Sequence, residues 1–142
     1  MTTLTLARAQ AIITGALAEA RSRGAMPLAI VVLDAGAHPV ALAREDGATF
    51  FRHRIATAKA TGALGMGADT RVLGQRAANN AAFFQAVAVT LDGEIAYSPG
   101  GVLVRDAAGL VIGAVGVSGD TGDCDEDCAR AGLRAAGLEI TP

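Results

Sequence analysis

Apolar and polar positions change period several times along this chain, and each change marks an element. From Thr5 to Arg23 the residues Leu6, Ala9, Ile12, Ile13, Ala16, Leu17 and Ala20 recur at spacings of three and four, which predicts an amphipathic helix. Thr5 is placed to cap it, Gly24 to end it, and Pro27 prevents its continuation. At 28–34 the period vanishes into the continuous run LAIVVLD, the pattern of a strand covered on both faces. AGAHP supplies turn residues. The stretch 40–46, VALARED, alternates and pairs back as a second hairpin arm, with Val40, Leu42 and Arg44 sharing one face. Helical spacing returns over 48–64, where Phe51, Ile55, Ala58 and Gly62 form a stripe. Asp69 is placed to cap a further helix that breaks near Asn79–Asn80, and Asn80 to cap its second half, which carries Phe83, Phe84 and Val87. After the loop SPGG come a strand (102–105), a tight turn at DAAG and an apolar strand (110–117). Residues 123–138 read as a last helix, with Cys128, Ala131, Leu133, Ala135 and Leu138 available for packing.

The order helix, hairpin, helices, hairpin, helix predicts a mostly antiparallel sheet with helices packed on it, an α+β architecture. The 142 residues are read as one domain spanning 1–142. Half of the composition is apolar, and it is rich in Ala, without Trp. Small side chains let helices approach a sheet closely and leave apolar surface that favours self-association. A net charge of −2 gives no bulk attraction for nucleic acid. No apolar run approaches the length needed to cross a bilayer. Without a signal-peptide pattern, the two cysteines are expected to be reduced thiols in a cytoplasmic protein.

Several stretches, in this order, carry a resemblance: VVLDAGAHPVALARED, RIATAKATGA with its Lys-Ala pair, GGVLV, and GAVGVSGDTGDCDEDCA with its GVSG loop and acidic helix start. The chain resembles the GlcG/HbpS family, which also includes the C-terminal domain of PduO-type proteins, over nearly its full length. The resemblance implies a profilin-like five-stranded antiparallel sheet made of two hairpins and flanked by helices. It also implies a homo-oligomer, octamers among the forms, and a bound tetrapyrrole, haem first and a corrinoid as the alternative. The chain departs from the family pattern in GAHP, where a glycine pair is common, and in His53, where a small polar residue is expected.

Candidate chemistry is sparse. Five carboxylates fall between Asp120 and Asp127, and Asp123, Asp125 and Asp127 alternate like the start of a calcium loop. That loop needs Gly at its sixth position and a carboxylate at its twelfth, where this chain has Cys128 and Arg134. The acidic run therefore reads first as a helix entry favoured by the macrodipole. Cys124 and Cys128 are neither a closed zinc set nor a two-residue-spaced redox motif, although a thiol at a helix N-terminus oxidises readily. Backbone N–H groups of the GVSG loop, with Ser118 the side-chain donor, are one possible anion cradle.

Lys59, the only Lys, sits among alanines: it is either a solvated cation or a pocket-edge cation for a carboxylate, such as a propionate or a small acid, with Arg44 assisting. His38 before Pro39 reads as a turn residue. His53, on a helix, is the candidate haem-iron ligand, because neutral imidazole binds that iron. An alternative reading is an enzyme or accessory protein acting on a small carboxylic acid, with Lys59 or Arg44 holding the acid and Asp34 or His53 as base.

Overall fold

The computed structural model describes residues 3–138. The first helix, α1 (Leu6–Ser22), begins as expected at Thr5, whose hydroxyl accepts the Arg8 N–H at 3.2 Å. It ends at Arg23, with Gly24 left-handed just beyond (φ 66°). Strands β1 (Ala29–Asp34) and β2 (Pro39–Arg44) form the first hairpin. Its turn is closed by Asp34, whose Oδ1 accepts the N–H groups of Gly36 and His38, both at 2.9 Å.

Helix α2 (Arg52–Met66) follows, then α3 (Thr70–Asn79) and α4 (Ala81–Thr90), broken at Asn80 as the sequence predicts. Neither expected side-chain cap forms there. Asp69 instead accepts the Leu103 N–H at 2.9 Å and the Arg130 guanidinium at 3.1 Å, tying α3 to the sheet and to the last helix. Strands β3 (Gly101–Arg105) and β4 (Val111–Ser118) make the second hairpin, and α5 (Gly122–Ala135) follows, capped by Thr121.

Four strands form one antiparallel sheet in the order β2-β1-β4-β3. The five strands implied by the resemblance are not found among the described residues. The extended segment before β3 spends its backbone on a helix instead: the Ala96 N–H donates to the Ala58 carbonyl of α2 at 3.3 Å. The expected alternation on β2 is also corrected. A bulge opposite Val32 and Leu33 shifts the register, so Val40 packs with Ala41 and Ala43 towards α1 while Leu42 and Arg44 face the other way.

The sheet separates two cores. Ile30, Val32, Val102, Val104, Val115 and Val117 meet α1 and α5 on one side. Val31, Leu33, Leu103 and Ala114 meet Ala56, Ala60 and Ala63 of α2 on the other. This second layer is thin because β4 presents glycine to the helix: a Cβ at Gly116 would collide with the Ala56 carbonyl oxygen. The stripe Phe51–Ile55–Ala58–Gly62 is therefore not the row that packs on the sheet. The alanines and Lys59 occupy that side, and Phe51 stays 52% exposed.

Candidate functional site

With its alanine side against the sheet, α2 turns the other side outward. His53, Thr57 and Thr61 follow at intervals of four residues, one above the next. Together with Phe51, Arg54 and Ala58 they form one wall of an open groove of about 1050 Å³, and the segment 92–96 forms the opposite wall. The groove continues past Thr61 and Ile95 into an apolar cleft of about 410 Å³ between the end of α2 and α4. Gly62, Gly65 and Met66 line the cleft from α2, and Phe83, Val87 and Leu91 from α4. Gly62 admits the Ile95 side chain, whose Cγ1 lies 2.6 Å from where a Cβ would be, and Gly65 has nothing within 4 Å of an added Cβ, which leaves room between α2 and α4. Helix α4 is anchored mainly at Phe84, whose ring meets Tyr97 edge-to-face at 5.3 Å and whose carbonyl accepts the Tyr97 hydroxyl at 2.9 Å.

His53 is half-buried in the polar end of the groove. The Arg54 guanidinium lies 5.5 Å from the centre of the Phe51 ring, a cation–π contact that sets a positive charge at the groove edge. Thr57 donates its hydroxyl proton to the His53 carbonyl at 2.7 Å, so that proton is used within the helix. Asp92 and Glu94 bring carboxylates to the opposite wall, and Met66, the other side chain on these walls of a type that haem iron takes, lies thirteen residues along α2 from His53. At 1.5 Å per residue that is about 20 Å, too far for both to hold one metal.

The other three residues expected at a ligand gather elsewhere, at the sheet end where β4 passes into α5. Arg44 and Ser118 both pair with Ala29 in register and so share its face. Arg44 donates to the Ala48 carbonyl at 2.6 Å, and Ser118 Oγ accepts from Arg52 at 3.4 Å. Lys59 is 2% exposed. Its ammonium donates to the Val117 carbonyl (2.9 Å), the Pro99 carbonyl (3.0 Å) and Asp125 Oδ2 (3.0 Å), which uses all three protons. Neither the solvated cation nor the pocket-edge cation describes it: Lys59 meets a carboxylate of its own chain. Burial pushes the Lys59 ammonium below its ordinary value and the Asp125 carboxyl above its own, and each is partly offset by the other's charge. Gly100 is what admits this contact, since a Cβ there would lie 2.9 Å from Lys59 Nζ.

The acidic run resolves into separate partnerships. Asp120 accepts the Met26 N–H at 2.8 Å, Asp125 takes Lys59, and Asp127 takes Arg23 at 3.1 Å. Asp123 and Glu126 both take Arg71. No three His, Cys, Asp or Glu side chains converge as a metal site among the described residues. Nor is any described helix long and apolar enough to cross a membrane. His38, 79% exposed at its side chain, pairs with Asp34 at 3.1 Å as a turn residue.

Fold and groove together define a class: α+β domains in which a four-stranded antiparallel sheet carries one helix with an open, partly apolar outer side. Within that class the chain belongs to the HbpS-like family, described as haem degrading protein HbpS-like, whose family model matches residues 4–134. Among solved structures, a double mutant of Streptomyces reticuli HbpS is 31% identical, with a TM-score of 0.80 over 99% of this chain and 90% of that one. Klebsiella pneumoniae protein ORFY is 26% identical, with a TM-score of 0.88 over 99% of this chain and 94% of that one. The PduOC:heme complex is 22% identical and shares the fold, with a TM-score of 0.89 over 99% of this chain and all of the other. A search of curated protein sequences finds no match.

Proposed function

We propose that this chain binds haem in the groove along α2, with His53 as the ligand of the iron. The observation that carries the reading is the meeting, on one helix side, of a half-buried imidazole, a cationic edge at Arg54 and an apolar continuation into the cleft under α4. A flat apolar ring with acidic substituents needs those three features. The HbpS-like family description supports haem over other flat ligands. When bound, the group supplies a redox-active iron and a visible absorption band. His53 would hold the iron, Arg54 an acidic substituent, and the Gly62–Gly65 stretch with Phe83 and Val87 the apolar edge. Lys59, Arg44 and Ser118 act on the frame beneath the groove rather than on the ligand. A corrinoid offers the same flat shape and is the competing ligand to test.

Haemin titrated into the protein is expected to give a saturable Soret shift at about micromolar affinity or tighter. His53→Ala is expected to weaken binding about tenfold or more, roughly 1.4 kcal/mol, and to abolish the low-spin band. An unchanged spectrum in the variant removes His53 from the site, and saturation by cobalamin without haemin transfers the groove to corrinoids.

We also propose that the protein is a soluble, cytoplasmic homo-oligomer. Phe50 is 70% exposed and Val89 78% exposed, apolar side chains that line neither the groove nor the cleft. Light scattering is expected to give a multiple of the 14.2 kDa chain mass, with an octamer the size the family resemblance implies. Val89→Asp is expected to shift that mass downward. A monomeric mass for the unaltered protein overturns this part of the reading.

A further inference from the structure

Of the two hollows beside α2, the cleft under α4 has the narrower chemistry. Its volume of about 410 Å³ falls within the range of about 300–1,000 Å³ in which small-molecule pockets lie. Gly65 and Met66 line it from α2, and Phe83, Val87 and Leu91 from α4. Polar groups are scarce there. The Thr90 hydroxyl donates to the Ala86 carbonyl at 2.8 Å, which leaves the Thr61 hydroxyl and the Glu94 carboxylate as the polar side-chain groups open to a guest. Thr61, Glu94 and Ile95 line the groove as well, so they stand where one hollow opens into the other. Among the described residues Glu94 is the one charged side chain that lines the cleft.

The outer wall of the cleft is held from one side. Among the described helices and strands α4 packs only against α3, and Phe84 is its single buried residue. On the inner wall an added Cβ at Gly65 has nothing within 4 Å. The cleft is therefore open space between hydrocarbon walls, not a seam closed by packing. Charge is placed unevenly along α2 and its neighbours. Arg54 stands at the groove edge and does not line the cleft, whereas Glu94 stands at the cleft mouth.

We propose that the cleft is the specificity pocket of the groove ligand: it selects a macrocycle by the substituents on one edge, and Gly65, Val87 and Glu94 are the residues that decide. The inference rests on the haem reading of the groove and adds the rule by which the groove discriminates. An edge bearing vinyl or methyl groups finds hydrocarbon on both walls. An edge bearing carboxylates meets the like charge of Glu94 at the mouth and no cation inside, and a charge buried without a partner is costly. An edge bearing amides finds too few groups to bond, and each unsatisfied amide carries its desolvation penalty. Haem bears its two acidic substituents on one edge and its two vinyl groups away from it, so its acids can stay at Arg54 while its apolar edge enters the cleft.

The test compares haemin with iron coproporphyrin, in which both vinyl groups are replaced by propionates while the iron and the ring are unchanged. Each is titrated into the protein and its Soret band followed to saturation. Iron coproporphyrin is expected to bind about tenfold more weakly than haemin, or worse. Gly65→Leu puts a side chain into the cleft and is expected to weaken haemin by about tenfold, with little effect on iron coproporphyrin. Val87→Phe fills the cleft from the other wall and should act alike. Glu94→Gln is expected to narrow the gap between the two ligands. His53→Ala should weaken both by the same factor, because the iron is common to them. Circular dichroism confirms that each variant is folded. Equal affinity of the unaltered protein for the two ligands, a gap untouched by Glu94→Gln, or haemin binding indifferent to both fillings overturns the proposal and leaves the haem reading standing. Haemin that fails to bind the unaltered protein overturns both.

Discussion

Asp125→Ala is expected to lose about 3–5 kcal/mol of stability, the cost of leaving one member of a buried ion pair uncompensated. The substitution leaves the Lys59 ammonium with two backbone carbonyls and no counter-charge in a site that is 2% exposed. It also frees the Asp120 N–H, which Asp125 Oδ1 accepts at 3.0 Å, and so loosens the passage from β4 into α5. The midpoint of urea unfolding reports the loss: with a slope of about 1–3 kcal/mol per molar, it should move by more than one molar. A double variant separates charge from shape. Lys59→Met combined with Asp125→Leu removes both charges at similar volume and is expected to regain most of the stability. If Asp125→Ala costs less than about 1 kcal/mol, the pair behaves like a solvated one and does not hold the junction.

Gly116→Val is expected to be at least as damaging, by a different route. Gly116 and its cross-strand partner Gly101 form a trough under α2. A Cβ at 116 meets the Ala56 carbonyl, and one at 101 meets the Lys59 carbonyl and lies 2.6 Å from Thr70 Cγ2. These obstacles are mainly backbone, which cannot rotate aside, so α2 would have to lift from the sheet. Overpacking against movable side chains costs about 1–3 kcal/mol, and a backbone collision exceeds that. The expected readout is insoluble protein or a thermal midpoint lowered by more than 10 °C, on the scale of about 2–4 °C to 4–8 °C per kcal/mol for domains of this size range. Gly65→Ala is the contrast. It sits in the same helix with nothing within 4 Å of an added Cβ, and it should stabilise the protein by about 0.5–1 kcal/mol. Soluble Gly116→Val protein with an unchanged midpoint would mean that α2 is not seated on the trough.

What the sequence made legible was local. The Thr5 cap, the AGAHP turn, the Asn80 break and both hairpins follow from neighbours a few residues apart, and each lies where the pattern put it. The fifth strand came from resemblance rather than pattern, and the pattern's two hairpins account for the four strands present. The orientation of α2 was misleading because its stripe of larger side chains faces the groove, while the glycine trough selects alanine for the packed side. Lys59 was singled out as an unusual lysine, yet its partner lies 66 residues away on another element. No periodicity links such positions. His53 was visible as a lone imidazole on a helix, and only the fold shows that it lines a groove.

The seating of α2 on bare backbone has an evolutionary corollary. A helix positioned by side-chain interlock transmits any change on one side to the other. Here the inner alanines leave little for the outer row to disturb, so positions 53, 57 and 61 can be rewritten with little penalty to folding. Their mutational tolerance should be high while that of 56, 60 and 63 is nearly nil, which would let relatives on the same frame diverge in what they hold.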